Sequence, residues 1–146
     1  MDASQNMVKP VISLVSGTYQ RIKLLKKMVQ SFRDNLLPGL AYEIVLIDGG
    51  STDGTIKWCK SQSDIVLIED GKLLGAISAF TRGAFTAQGK YVLLANDDIE
   101  FKKNSVIPAI IHLEQNLKCG AVAFADNRVI PDHFTKKDYK TLRMGA

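Results

Sequence analysis

Five short apolar runs separated by stretches of helical periodicity confine this chain to a small group of folds. The runs are VISLVS (Val11 to Ser16), YEIVLID (Tyr42 to Asp48), DIVLIE (Asp64 to Glu69), KYVLLA (Lys90 to Ala95) and GAVAFA (Gly120 to Ala125). None alternates strictly between apolar and polar residues, so each reads as a strand buried on both faces. Between the first two, Ile22, Leu25, Val29, Phe32 and Leu36 recur every three or four residues. That spacing gives one apolar helical face, which Leu37, Pro38 and Gly39 then stop. Thr52 or Asp53 suits the cap of a second helix running through Gln62, Gly75 to Ala87 reads as a third helix, and Ser105 to Asn116 as a fourth. Strand and helix in alternation predict right-handed crossovers and an α/β fold, a parallel sheet with helices on both faces. No internal repeat, low-complexity segment or linker interrupts the pattern.

Length sets the number of cores. The chain has 146 residues, a size that buries roughly two thirds of the unfolded surface around one core, so residues 1–146 are expected to form a single domain. With 46% hydrophobic and 23% charged residues the composition is that of a soluble globular protein. No apolar run approaches the ~18 to 20 residues that span a bilayer. The opening MDASQNMVKP carries an early acid and no apolar core of a secretory signal, and cytoplasmic residence is the expectation. Cys59 and Cys119 stand alone, without CxxC spacing or a nearby histidine pair, which suits reduced thiols packed as small apolar residues rather than a zinc site.

The net charge of +4 is unevenly spread. Arg128, Lys136, Lys137, Lys140 and Arg143 face only Asp132 and Asp138 in residues 127–146, so most of the excess lies in a basic C-terminal tail. Such a tail suits an anionic membrane surface, an acidic partner chain or a solvated end. No aromatic residues interleave with a basic stripe, which argues against nucleic acid as a partner.

In a parallel α/β sheet, ligands bind beyond the carboxyl ends of the strands. Asp48 closes the second run, GTYQR (Gly17 to Arg21) follows the first and NDDIE (Asn96 to Glu100) follows the fourth, so these three polar groups are expected on one rim. Strand-end carboxylates beside glycine-rich turns suit a divalent cation and let backbone amides approach phosphate oxygens. Asp97 and Asp98 are adjacent, and in extended backbone they point opposite ways, so one suits a metal and the other a sugar hydroxyl.

These segments resemble a known family. VISLVSGTYQR, IVLIDGGSTDGT, GAISAFTRGAFTAQGKYVLL and ANDDIE, in that order, are similar to the ordered segments of the inverting family two of the nucleotide-sugar-dependent GT-A glycosyltransferases. The resemblance spans about Val11 to Glu100 and implies a GT-A, Rossmann-like, mostly parallel sheet in the order 3-2-1-4, with a fifth strand near it. It implies transfer of a sugar from a nucleotide-diphosphate-sugar, UDP- or dTDP-linked, to an acceptor hydroxyl of a glycan, lipid or protein, with inversion and with Mn or Mg. By the same resemblance Asp48 receives the N3–H of the base, Asp97 contacts the ribose and Asp98 coordinates the cation. Thr18 and Tyr19 flank the nucleotide, and Arg82 approaches the phosphates.

The chain departs from the family pattern in four places. Ser16 and Gly17 precede Thr18 and Tyr19 where the family often has proline. Phe80 and Thr81 stand where Arg-Asn is common, with Arg82 one step later, and Asn96 replaces the first aspartate of the metal motif. Complete members also carry a second half that forms the acceptor cleft and supplies the general base. Asp126 and Asp132 are the remaining acids in range, and neither sits in a matching motif, so no catalytic base is assigned. The expectation is therefore a donor-binding half, either acting as a glycosyltransferase when completed or serving as a non-catalytic nucleotide-sugar-binding module that needs a partner chain.

Plainer readings exist for each residue. Asp48 also suits a turn cap with Gly49 and Gly50 allowing positive φ, the Asp97–Asp98 pair a solvated loop, and Arg82 an ordinary surface side chain. His112 and His133 are expected to be structural, and Lys72 has no assigned role. A dinucleotide-binding domain is the other fold-level reading, but no GxGxxG follows the first run.

Overall fold

The computed structural model describes residues 9–124. Strand and helix follow one another as β1 (Ile12–Thr18), α1 (Ile22–Arg33), β2 (Tyr42–Asp48), α2 (Thr55–Lys60), β3 (Ile65–Glu69), α3 (Ala76–Thr86), β4 (Tyr91–Leu94) and α4 (Val106–Gln115). The strands form one parallel sheet in the order β3-β2-β1-β4, the α/β arrangement that the alternation predicts. The chain divides into two compact units after Lys103. The first unit holds the sheet with α1, α2 and α3, and the second holds α4.

Successive side chains of a strand point to opposite faces, and both faces here are covered. Val15, Val45 and Ile47 pack with Ala79 of α3, bordered by Ile68, Phe80 and Ala87. The alternate residues Leu14, Ile44 and Leu46 face the other way and are fully buried, as are Leu25, Met28, Val29 and Phe32 of α1. The rings of Phe32 and Tyr42 meet edge-on at 5.8 Å, which sets α1 on that second face. Each fully buried side chain of this size contributes roughly 1.5–3 kcal/mol. On the first face α3 lies so close to the sheet that a Cβ on Gly83 would overlap Val15 Cγ1 and stand 2.8 Å from Ile47 Cδ1. Only glycine permits that approach.

Near the amino ends of the central strands, Asp64 ties α1 to β2. It accepts hydrogen bonds from Arg33 Nη2 at 2.6 Å, Arg33 Nε at 2.9 Å and the Tyr42 hydroxyl at 2.8 Å. Burial alone would raise the Asp64 carboxyl, but the Arg33 and Tyr42 hydrogen bonds outweigh it and hold it below the ordinary carboxylate range. The same burial, together with the Asp64 contact, raises the Tyr42 phenol.

Several expectations are corrected. Gly120 to Phe124 form no strand, and Ala125, the last residue of that run, lies outside the described residues. Val122 is its single β-branched residue, while Gly and Ala have weak strand preference. The first helix stops at Arg33 instead of reaching Leu36, and the second ends at Lys60 instead of Gln62. Cys59 and Cys119 are free, and burial, reinforced by the Asp48 charge, pushes the Cys59 thiol up to about 12. The N-terminal segment 1–8, Asp126, Asp132, His133 and the basic tail 127–146 lie outside the described residues. Among the described residues no helix is long and apolar enough to cross a membrane.

Candidate functional site

The register of the sheet sets three segments side by side at the carboxyl ends of the strands. Thr18 and Asp48 are the last paired residues of β1 and β2. β4 pairs only as far as Leu94 opposite Val15, and its chain continues through Asn96, Asp97 and Asp98, with Asp97 reaching Thr18 at the end of β1. A cleft of about 380 Å³ opens there, a volume typical of small-molecule sites. Thr18, Tyr19 and Arg21 line it after β1, Gly49 after β2, Asp70 and Lys72–Ala76 after β3, and Asn96, Asp97 and Asp98 after β4.

The turn that presents Tyr19 and Arg21 is braced by the glycine-rich loop after β2. Gln20 adopts a left-handed φ of 56°. Its backbone N–H donates to Ser51 Oγ at 2.9 Å, its Nε2 donates to Thr52 Oγ1 at 2.9 Å, and the Thr52 N–H donates back to its Oε1 at 3.2 Å. Asp53 then serves two helices at once. Its Oδ2 accepts the Ile22 N–H at the start of α1 at 3.0 Å, and its Oδ1 accepts the Thr55 N–H at 3.1 Å and hydroxyl at 2.7 Å at the start of α2. The Ile22 and Thr55 bonds hold the Asp53 carboxyl below its ordinary range, and first-turn N–H groups that lack partners within the helix are satisfied. Gly54 takes the cap position of α2, and of the two candidates Asp53 supplies the side-chain acceptor.

The paired acids differ in setting. The Asp97 side chain is 7% exposed and that of Asp98 is 46% exposed. Asp97 Oδ2 accepts the Thr18 hydroxyl at 2.8 Å, and its Oδ1 accepts Arg21 Nη1 at 3.2 Å. The same Nη1 donates to Asp98 Oδ2 at 3.2 Å. Thr18, Arg21, Asp97 and Asp98 therefore form one connected group, with Tyr19 beside it on the cleft wall.

Asp48 is fully buried, and it is not part of the cleft wall. Its Oδ1 accepts the N–H groups of Gly50 at 2.8 Å and Ser51 at 2.7 Å, while Oδ2 is buried with no hydrogen-bond partner among the described residues. Gly50 takes φ 94° in this turn. The next loop lies over it: a Cβ on Gly49 would stand 3.2 Å from Leu73 Cδ1 and 3.4 Å from Tyr19 Cδ2, and one on Gly50 would stand 2.9 Å from Gly71 O. Arg82 is likewise outside the cleft wall. Its guanidinium pairs with the Asp70 carboxylate, which is 2% exposed.

Sequence reasoning left Arg21, Gln20 and Asp70 without roles, because each acts through a partner more than ten positions away. The charge on Arg21 beside a strand end was the available signal. Among the described residues no group of three or more His, Cys, Asp or Glu side chains converges as a metal cage. The half-exposed Asp98 with hard oxygen donors nonetheless fits Mg or Mn, which take one or two carboxylates and complete their shell from phosphate oxygens and water.

Comparison with known proteins gives these residues a context. The family model described as Glycosyl transferase family 2 matches residues 13–144. A dolichol-phosphate mannosyltransferase of Pyrococcus furiosus is 32% identical over 110 residues, covering 72% of this chain and 30% of its own length. Among solved structures, Staphylococcus aureus TarS 1-349 superposes with a TM-score of 0.62 at 19% identity, covering 71% of this chain and 32% of that one. A mannosyltransferase from Pyrobaculum calidifontis, in complex with GDP-Man and Mn2+, gives a TM-score of 0.56 at 22% identity over 67% of this chain and 30% of that one. Both likenesses are of fold, and the strand order 3-2-1-4 is the GT-A arrangement. The chain spans about a third of the length of these proteins.

Proposed function

The chain belongs to glycosyl transferase family 2, and from that membership we propose that it is the donor-binding part of an enzyme moving a sugar from a nucleotide-diphosphate-sugar to an acceptor hydroxyl with inversion. The observation that carries this reading is the Thr18–Asp97–Asp98 group, assembled from β1 and β4 in a cleft at the carboxyl ends of the strands. Asp97 is the ribose contact and Asp98 the ligand of a Mn or Mg ion. When bound, that cation offsets the charge that develops on the departing diphosphate. Thr18 holds Asp97 in place, Tyr19 offers its ring to the nucleotide, and Arg82 approaches the phosphates only by leaving Asp70.

Base selection falls to Asp48. Its buried Oδ2 has no hydrogen-bond partner among the described residues, and such atoms are rare because desolvation without a hydrogen bond is costly. An ionised carboxylate only accepts, so it pairs with the N3–H of uracil or thymine and repels the N3 lone pair of cytosine. Guanine also presents a ring N–H, which matters because one fold neighbour was solved with GDP-Man. For a base to reach Asp48, the Leu73 side chain over Gly49 has to yield. In this reading the acceptor cleft and the general base are supplied by the part of the relatives' length that this chain does not span.

Calorimetry with UDP, dTDP, GDP and CDP in the presence of Mn tests the assignment. The expected order places CDP at least about tenfold below UDP, the worth of one charged hydrogen bond. Equal affinity for UDP and CDP returns Asp48 to a turn cap.

A further inference from the structure

We propose that Arg21 is an internal counter-cation for the acid pair: it occupies Asp97 and Asp98 while no metal is bound, and gives them up when the cation arrives with the donor. The proposal rests on the metal reading of Asp98 given above and adds a residue and a binding order to it.

One guanidinium nitrogen, Nη1, stands 3.2 Å from Asp97 Oδ1 and 3.2 Å from Asp98 Oδ2. Two adjacent carboxylates, one of them 7% exposed, repel each other without a positive neighbour, and Arg21 supplies that charge from within the chain. Both oxygens of Asp97 are engaged in this state, Oδ2 by Thr18 and Oδ1 by Arg21. At Asp98 the same Nη1 holds Oδ2, so a divalent cation on that carboxylate meets the Arg21 charge at close range. Two like charges do not share one carboxylate at contact distance without a large Coulomb cost.

The backbone on either side of Arg21 is held by loop contacts, whereas its side chain is tied only through Nη1 in the hydrogen bonds described. Gln20 is held by Ser51 and Thr52, and the Ile22 N–H is held by Asp53. The Arg21 side chain is 50% exposed on the cleft wall, with solvent space to swing into. A diphosphate entering the cleft gives the displaced guanidinium a new anionic partner, to which arginine donates in a bidentate geometry. Metal and nucleotide then bind synergistically, because each relieves a cost that the other alone must meet. By linkage the coupling is the same whichever ligand binds first.

The test is Mn binding to the 146-residue chain, read by electron paramagnetic resonance of free Mn, without and with UDP, for wild type, Arg21→Gln, Arg21→Lys and Asp98→Ala. Thermal melts of each variant check that the fold is kept. Arg21→Gln is expected to bind nucleotide-free Mn about tenfold tighter than wild type, a gain between the aqueous and near-surface limits for one removed charge. Its Mn–UDP coupling factor is expected to fall by a similar ratio, whereas Arg21→Lys, which keeps the charge, stays within about threefold of wild type. A purely structural arginine would move the melting temperature and leave nucleotide-free Mn affinity unchanged. That unchanged affinity, with Mn–UDP coupling present in wild type and lost in Asp98→Ala, overturns the role of Arg21 alone. No Mn dependence of UDP binding in any variant overturns the metal reading, and this inference with it.

Discussion

Replacing Asp48 with asparagine should invert the base preference of the site while leaving the fold in place. Oδ1 of Asp48 accepts two backbone N–H groups, from Gly50 at 2.8 Å and Ser51 at 2.7 Å, and Oδ2 accepts none among the described residues. In Asp48→Asn the amide oxygen keeps the two turn bonds, so the NH2 group takes the Oδ2 position. A donor then stands where an acceptor stood. Wild type gains a charged hydrogen bond from the uracil N3–H, roughly 1.5–3 kcal/mol, or about ten- to a hundredfold in affinity over CDP. The variant repels that N3–H and donates to the cytosine N3 instead, a neutral bond worth about 0.5–1.5 kcal/mol, so CDP should bind about three- to tenfold tighter than UDP. Stability should move by only about 1 kcal/mol, because weaker turn bonds are offset by removal of a buried charge. Calorimetric titration of UDP and CDP at saturating Mn reads the ratio directly. An asparagine variant that still prefers UDP, or that loses both nucleotides equally with an unchanged melt, refutes the role of Asp48 in base selection.

Two further predictions concern the scaffold. Gly83→Ala should destabilise by about 1–3 kcal/mol in urea denaturation, since the overlap with Val15 and Ile47 outweighs the roughly 1 kcal/mol that alanine gains over glycine in a helix; a stabilised variant would contradict the close α3–sheet contact. Asp53 and Asp64 both have carboxyls held below the ordinary aspartate range, so the stability they contribute is present above that range and is lost as the pH falls through their lower folded values. Asp64→Asn should flatten the acid limb of the stability–pH curve below about pH 4, and an unchanged limb would remove the Arg33–Asp64–Tyr42 group from the account.

The parts of this fold legible in the sequence are those written as local patterns. Apolar runs gave four strands to within two residues of their observed ends, with Asp48 the last residue of β2. GAVAFA failed because an apolar run of Gly and Ala with a single β-branched residue, Val122, carries little strand preference of its own. The second helix starts only at Thr55 because Gly54 sits left-handed before it, a conformation that composition alone does not reveal. Asp97, Asp98, Thr18 and Tyr19 were legible through ordered motifs. Arg21 on the acid pair, Arg82 on Asp70 and the burial of Asp48 were not. Each depends on which side chain is nearest once loops 18–21, 49–53 and 70–75 are folded together, and no spacing along the chain encodes that distance.

The central claim is that the cleft at the strand ends binds a nucleoside diphosphate through a cation held by Asp98. Calorimetric titration of UDP into wild type and Asp98→Ala, each with Mn and with chelator, tests it most directly. Asp98 is half exposed and pairs only with Arg21 among the hydrogen bonds described, so its removal should leave the melt nearly unchanged. The account predicts UDP binding that strengthens at least about tenfold with Mn in wild type and gains nothing from Mn in Asp98→Ala. An equal Mn enhancement in both proteins, or UDP binding that ignores Mn in wild type, contradicts it.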